Sequence, residues 1–460
     1  MREVFDHLQS VGIIRNNEIV FEKLEKMPFA QLLDLIQFVG GVGLTEALPA
    51  NPGPFSFSAS LTLSGGPTEC GSAKCRLERV DEMSRFALLF SDCVYVRNPF
   101  ADLLPGYLHE PLVDSPDLRM RIAGDFLVFL RMQPLLESGV VAFFATPANR
   151  CLACFARDQL SPDTARRISR AYRKLSKRYS EELEARAVRI AGGDSFRVSG
   201  PEFLLEHGGQ NFLSFSRHPV LTGMPKIQKR LEAGEEVKLS KSTWKRIGLH
   251  RRFPDLVAQN VQYHLAVSQA LNASFLTHSE LHISFLKDAL GSPELEERNR
   301  VVTKHLTAAI PFLHSVPVPK LLELRRKEQD AFLMFRSSVL EAANEVRGSS
   351  VGFTENHARQ LYGDVLQPGL ARLEERVRAA RREPLLAAAK SAAGVSLALS
   401  FGLYFGLIPA ELQAALNALG VLKVAGDVAA KAGDAVSPAR AIRSESLYFL
   451  WRAKRLVSGR

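Results

Sequence analysis

From Phe55 to Leu63 every second residue is apolar: Phe55, Phe57, Ala59, Leu61 and Leu63 alternate with serines and a threonine. A period of two belongs to a strand, because successive side chains leave opposite faces of the backbone. Gly65-Gly66-Pro67 ends the run. The period then changes repeatedly. Val80–Phe90 reads as a helix, CVYVRNPF as a short strand closed by Asn98-Pro99, residues 115–137 as a helix and VVAFFA as another strand. Upstream, residues 3–45 read as helical, with Leu32, Leu33, Ile36 and Val39 at three- and four-residue steps and Gly40-Gly41 as the stop. The first third is therefore expected to mix α and β.

Beyond Ser161 the pattern is helical. Ser161 suits an N-cap and Pro162 the first helical position, where a missing N–H costs nothing. Ile168, Tyr172, Leu175, Tyr179 and Leu183 make one apolar stripe, and residues 188–206 read as a hairpin turning near Gly192-Gly193-Asp194. Residues 210–255 are basic and irregular; from 256 onward the chain reads as mostly helical, with breaks at SVPVPK and GSSVG. The expected fold is α+β and predominantly helical. Its units are a mixed α/β region over 1–158, a basic helix, hairpin and loop over 159–255, a helical region over 256–347 and a helical C-terminal region over 348–460.

A chain of 460 residues, 46% hydrophobic and 23% charged, is neither wholly disordered, nor collagen-like, nor a polytopic membrane protein. Its opening stretch, MREVFDHLQSVGIIRNNEIVFEKLEK, is interrupted by charges before any signal-peptide apolar core forms. The five cysteines suit a reducing compartment, so a cytoplasmic protein is expected. The net charge of +10 favours acidic partners.

Four cysteines form two close pairs, Cys70 with Cys75 and Cys151 with Cys154, leaving Cys93 over. Short-spaced thiolates on turns are how tetrahedral structural zinc is usually held. A four-thiolate zinc staple across the α/β region is the expectation, against the alternatives of buried thiols or a redox CxxC. Such a site would be closed and not catalytic.

Signals for catalysis are weak. His278 and His282 are four apart with Glu280 between them, one position late for the metalloprotease order. Asp81, Glu82 and Asp92 could serve magnesium in a hydrolase or nuclease, the alternative to a non-enzymatic protein. No Gly-x-Ser-x-Gly, Walker loop or Gly-x-Gly-x-x-Gly occurs.

Two basic stretches suit a phosphate backbone. Arg166, Arg170, Arg173, Lys174 and Lys177 share one helix face by the three- and four-residue rule. Lys241, Lys245 and Arg251 form a second cluster with Trp244 among them, as stacking on single-stranded bases would use. Nucleic acid or an acidic protein partner is expected there. Residues 385–408 are apolar and preceded by Arg376, Arg378, Arg381 and Arg382, which allows a membrane-acting effector. Their Ala, Gly and Ser content, with Lys390, fits a buried helical hairpin better.

Three stretches, DEMSRFALLFSDCVYVRNPF, LNASFLTHSELHISFL and VPVPKLLELRRKEQDAFLMFR, resemble a loosely defined group of uncharacterised bacterial proteins, some of them associated with phage-defence loci. The resemblance implies a bacterial protein that senses or relays a signal, and it brings no catalytic residue with it.

Overall fold

The structure is a computed structural model, and it describes residues 1–41, 56–61, 63–66, 73–104, 112–144, 152–190, 193–205, 210–214, 224–246, 248–271, 273–277, 279–290, 316–335, 370–371, 373–375 and 447–458. The first segment is not one helix. Helix α1 (Arg2–Ser10) is followed by a hairpin of β1 (Ile14–Arg15) and β2 (Glu18–Ile19), then by α2 (Phe21–Lys26) and α3 (Phe29–Gly40). Asn16 and Asn17 carry φ of 53° and 61°, a left-handed conformation that asparagine tolerates and that a two-residue hairpin turn requires.

The alternation after Phe55 becomes β3 (Ser56–Ala59), followed by α4 (Ala73–Phe90), β4 (Cys93–Arg97), α5 (Pro116–Glu137) and β5 (Val141–Phe144). With β10 (Ser274–Leu276) these strands form a four-stranded parallel sheet in the order β10-β3-β4-β5. Ser115 caps α5, its hydroxyl accepting from the Leu118 N–H.

The two faces of the sheet differ. Phe57, Ala59, Val94, Val96, Val141 and Phe143 lie in the core with α4 and α5, where the rings of Phe57 and Phe86 meet edge to face at 5.0 Å. Tyr95 and Phe144 belong to the core of the opposite face, with α6 (Leu152–Gln159) and α11 (Leu249–Leu271). Helices on both faces are the usual condition of a parallel sheet.

Between β5 and β10 the chain makes a long excursion. Helix α7 (Pro162–Glu182) opens on the Ser161 cap and buries Ile168, Ala171, Leu175 and Tyr179. Strands β6 (Glu184–Ile190) and β7 (Gly193–Ser199) form the hairpin, starting earlier than the composition indicates because α7 ends at Glu182. With β8 (Gln210–Ser214) and β9 (Val237–Lys238) they make an antiparallel sheet in the order β8-β7-β6-β9. Short helices α8 (Glu202–Leu205), α9 (Pro225–Glu232) and α10 (Lys241–Arg246) complete the stretch, so much of what reads as irregular is structured. The expected boundary at 255 falls inside α11. That helix leads into β10 (Ser274–Leu276), which pairs with β3 and so closes the first sheet.

Beyond β10, α12 (Glu280–Leu290) packs on α7. Helices α13 (Val318–Lys327) and α14 (Tyr448–Ser458) return to the face covered by α4, where Arg325 donates to the carbonyls of Ala87 and Ser91 and Phe449 packs against Phe332 and Phe335. The fold is thus mixed α and β and predominantly helical. Among the described residues no helix is long and apolar enough to cross a membrane. Residues 385–408 lie outside the described residues.

Candidate functional site: a polar seam beside the central strand

Strand β3 lies between β4 and β10. The chain leaves its carboxyl end for α4 on one face, while α11, which leads into β10, covers the other. Strand order therefore reverses between β3 and β10. In open α/β sheets ligands bind outside the carboxyl ends of the strands at such a reversal.

At this seam the covered face is polar. Ser56, Ser58 and Ser60 are at most 1% exposed. Opposite them α11 presents Asn260, His264 and Ser268, spaced one helical turn apart. Four helical residues rise about 6 Å and two strand residues about 6.6 Å, so a row on the helix keeps step with a row on the strand. The contacts match that step. Asn260 Oδ1 accepts from the Leu61 N–H at 3.5 Å, and His264 Nδ1 lies 3.2 Å from Ser58 Oγ. Ser56 and Ser268, which continue the two rows, have hydroxyls without a partner among the described residues.

His264 is 2% exposed and bridges the seam. Its ring stacks on Phe275 at 5.5 Å, and Phe275 is the register partner of Ser58 across β10 and β3. Its other nitrogen, Nε2, has no hydrogen-bond partner among the described residues. Burial holds the imidazole well below the ordinary histidine range, with His282 and Arg97 adding like-charge repulsion. His264 is therefore neutral near pH 7.

The carboxyl ends of the neighbouring strands supply the rest. Thr277 Oγ1 lies 3.1 Å from His282 Nδ1 and accepts from the Ser279 N–H, while Ser279 Oγ accepts from the His282 N–H and caps α12. Arg97, the last residue of β4, is 7% exposed and places its guanidinium 5.5 Å from the centre of the Tyr263 ring. Asn98 donates to the Val39 carbonyl and accepts from the Phe100 N–H, tying this edge to α3.

The turn after β3 is rigidly built. Ser64 N–H donates to the Ser60 carbonyl and Gly66 N–H to that of Leu61. Gly65 has φ +81°, and a Cβ there would sit 2.5 Å from Val80 Cγ2. Its carbonyl accepts from Arg76 Nε at 2.7 Å, and Arg76 is ion-paired with Asp125 of α5, both being buried.

Of the residues that the sequence points to, Cys75 lies in the first turn of α4 and Cys154 on α6; Cys70 and Cys151 lie outside the described residues. Among the described residues no group of three or more His, Cys, Asp and Glu side chains could hold a metal ion. Both oxygens of Asp81 accept from Arg131 at 2.6 Å. Asp92 precedes β4, at the end of the sheet opposite the seam. Glu82 pairs with Arg79 at 3.0 Å. Helix α12 begins at Glu280, after His278, which lies outside the described residues.

The basic residues divide. Arg166 pairs with Asp163, Lys174 with Asp288 of α12 and Lys177 with Glu181. Arg170 and Arg173 are exposed and have no ion pair among the described residues, and Lys245 and Arg251 are exposed. Lys241 donates to the carbonyls of Ser180, Glu181 and Leu183, closing the end of α7. Trp244 is 2% exposed and packs in the core, so its ring is not presented to a base.

The polar seam itself was missed from the sequence. Its signal was the row Asn260, His264, Ser268 and the serines of the strand, neither of which points to the other before the two are brought together. No protein-family model, curated protein or solved structure matches the chain.

Proposed function

We propose that the chain is a ligand-binding protein of the sensor type, which receives a small polar molecule at the carboxyl end of the seam between β3 and β10. The observation that carries this reading is His264 Nε2, a buried polar atom without a partner among the described residues at a topological switch point. Leaving such an atom unpaired costs about 1–3 kcal/mol, and a ligand that pairs with it removes the cost.

Hydrolysis by a Ser58–His264 pair fits less well. A catalytic base is oriented by a third group on its far nitrogen. Here that nitrogen has no partner among the described residues, and Ser58 sits within a strand covered on both faces.

The exposed Arg170, Arg173, Lys245 and Arg251 support a second surface, for nucleic acid or an acidic partner protein. Cys70, Cys75, Cys151 and Cys154 fall on the connections that leave β3 and β5 and on the helices they enter. A structural zinc ion held by them would staple that edge of the sheet. In a bacterial phage-defence setting, such a protein would couple ligand binding to engagement of its acidic partner.

Thermal unfolding of the full chain with a panel of sugars, nucleotides, organic acids and polyamines tests the ligand reading. At least one compound is expected to raise the melting temperature, and to raise it less in Ser58→Ala. A panel that leaves the wild type unmoved, or moves both proteins equally, overturns it.

A further inference from the structure

We propose that the cleft between β5 and helices α1, α5 and α13 binds a short peptide with free ends and apolar side chains. This is a second site, separate from the seam. The turn at Ser138 and Gly139 and the start of β5 line the cleft, so it lies toward the opposite end of the sheet.

The cleft has a volume of about 1030 Å³, at the upper end of what small-molecule sites occupy. Its floor is apolar and fixed, because Leu136 and Phe143 belong to the core beneath α4 and α5. Four charged side chains stand around that floor. Arg2 and Asp6 are one turn apart on α1, Glu137 is the last residue of α5, and Arg326 lies on α13. All four are exposed, and none has an ion pair among the described residues. Glu137 accepts from the neutral Gln133 amide at 2.9 Å. Arg325 fixes the α13 wall by donating to the carbonyls of Ala87 and Ser91.

Two of these charges oppose the dipole of their own helix. Arg2 places a cation at the positive end of α1, and Glu137 places an anion at the negative end of α5. A ligand of one sign would relieve one of them and be repelled by the other. A ligand with a charge of each sign relieves both. Arg2 and Arg326 suit a terminal carboxylate, which a guanidinium takes in a two-bond fork. Asp6 and Glu137 suit a terminal ammonium. The apolar floor and the volume call for hydrophobic side chains between the two ends, which a peptide of a few residues supplies.

The test is calorimetric titration of the full chain with trileucine, with trileucine acetylated at its amino end, with trileucine amidated at its carboxyl end, and with phosphocholine. Trileucine is expected to bind, and each blocked form to bind about tenfold more weakly. In Arg326→Gln trileucine should bind about tenfold more weakly, amidation should cost little more, and acetylation should keep its full effect. In Glu137→Gln the roles of the two blocked ends should exchange. Both side chains are exposed, so both variants should keep the melting temperature of the wild type.

Equal binding of free and blocked peptides overturns the inference, as does tighter binding of phosphocholine than of trileucine. Trileucine binding that is lost in Ser58→Ala and kept in Arg326→Gln places the peptide at the seam and overturns the second site. No binding of trileucine overturns it too, and leaves the reading of the seam standing.

Discussion

His264 and Ser58 stand 206 positions apart, yet Nδ1 of the one lies 3.2 Å from Oγ of the other beneath α11. The contact ties the helix that precedes β10 to the strand that β10 joins, and it leaves Nε2 unpaired among the described residues.

A first consequence is a pH dependence of stability. The folded imidazole binds its proton less tightly than the ordinary value of 6.5, so the folded state carries fewer protons than the unfolded one below that pH. Stability is full above 6.5 and falls as the pH drops below it, by up to about 1.4 kcal/mol per pH unit while the folded ring stays neutral. Urea unfolding at about pH 7.5 and about pH 5.5 is expected to show this loss, and His264→Asn to show a smaller one.

Gly65 stands at the turn after β3. Any side chain there is strained by the positive φ and clashes with Val80 and Val128. Gly65→Ala is expected to destabilise the protein by more than about 1 kcal/mol, read as a lower denaturant midpoint. A neutral result would mean that this turn is free to rearrange.

The buried pair of Arg76 and Asp125 holds that same turn through the Gly65 carbonyl. Arg76→Met leaves Asp125 buried with the more distant Arg121, at 3.9 Å, and is expected to cost about 3–5 kcal/mol. Arg76→Met/Asp125→Leu is expected to recover most of this. Equilibrium unfolding of the three proteins measures the difference.

The basic residues predict two different phenotypes. Arg170→Glu/Arg173→Glu should weaken retention on a phosphocellulose column, steeply with salt, while leaving the melting temperature unchanged. Lys241→Ala should lower the melting temperature, because three carbonyls at the end of α7 lose their donor. Retention that does not respond to the double charge reversal removes the acidic partner from α7.

Metal content separates the two accounts of the cysteines. If the four thiols hold zinc, the purified chain carries about one equivalent and Cys154→Ser loses it. Protein without zinc in the wild type sinks that account.

Local signals were legible wherever a single segment decided its own conformation. The Ser161 cap, the helix over 115–137, the strands at Cys93 and Val141, and the apolar stripe of α7 all depend on neighbours within a turn or two. Even the hairpin at Asn16-Asn17 had its signal in that dipeptide, overridden by the apolar spacing around it.

The alternation after Phe55 determined by itself that Ser56–Ala59 form a strand with one apolar and one small polar face, though Leu61 and Leu63, which continue the alternation, lie in the turn beyond it. Tertiary structure alone decided that the polar face is covered, because coverage depends on a helix some 200 residues away keeping step with the serines. The same holds for Trp244, whose burial depends on the helices packed around it and not on the lysines beside it in sequence. Hydrogen bonding between distant segments is chosen by topology, and residue spacing within either segment carries no record of its partner.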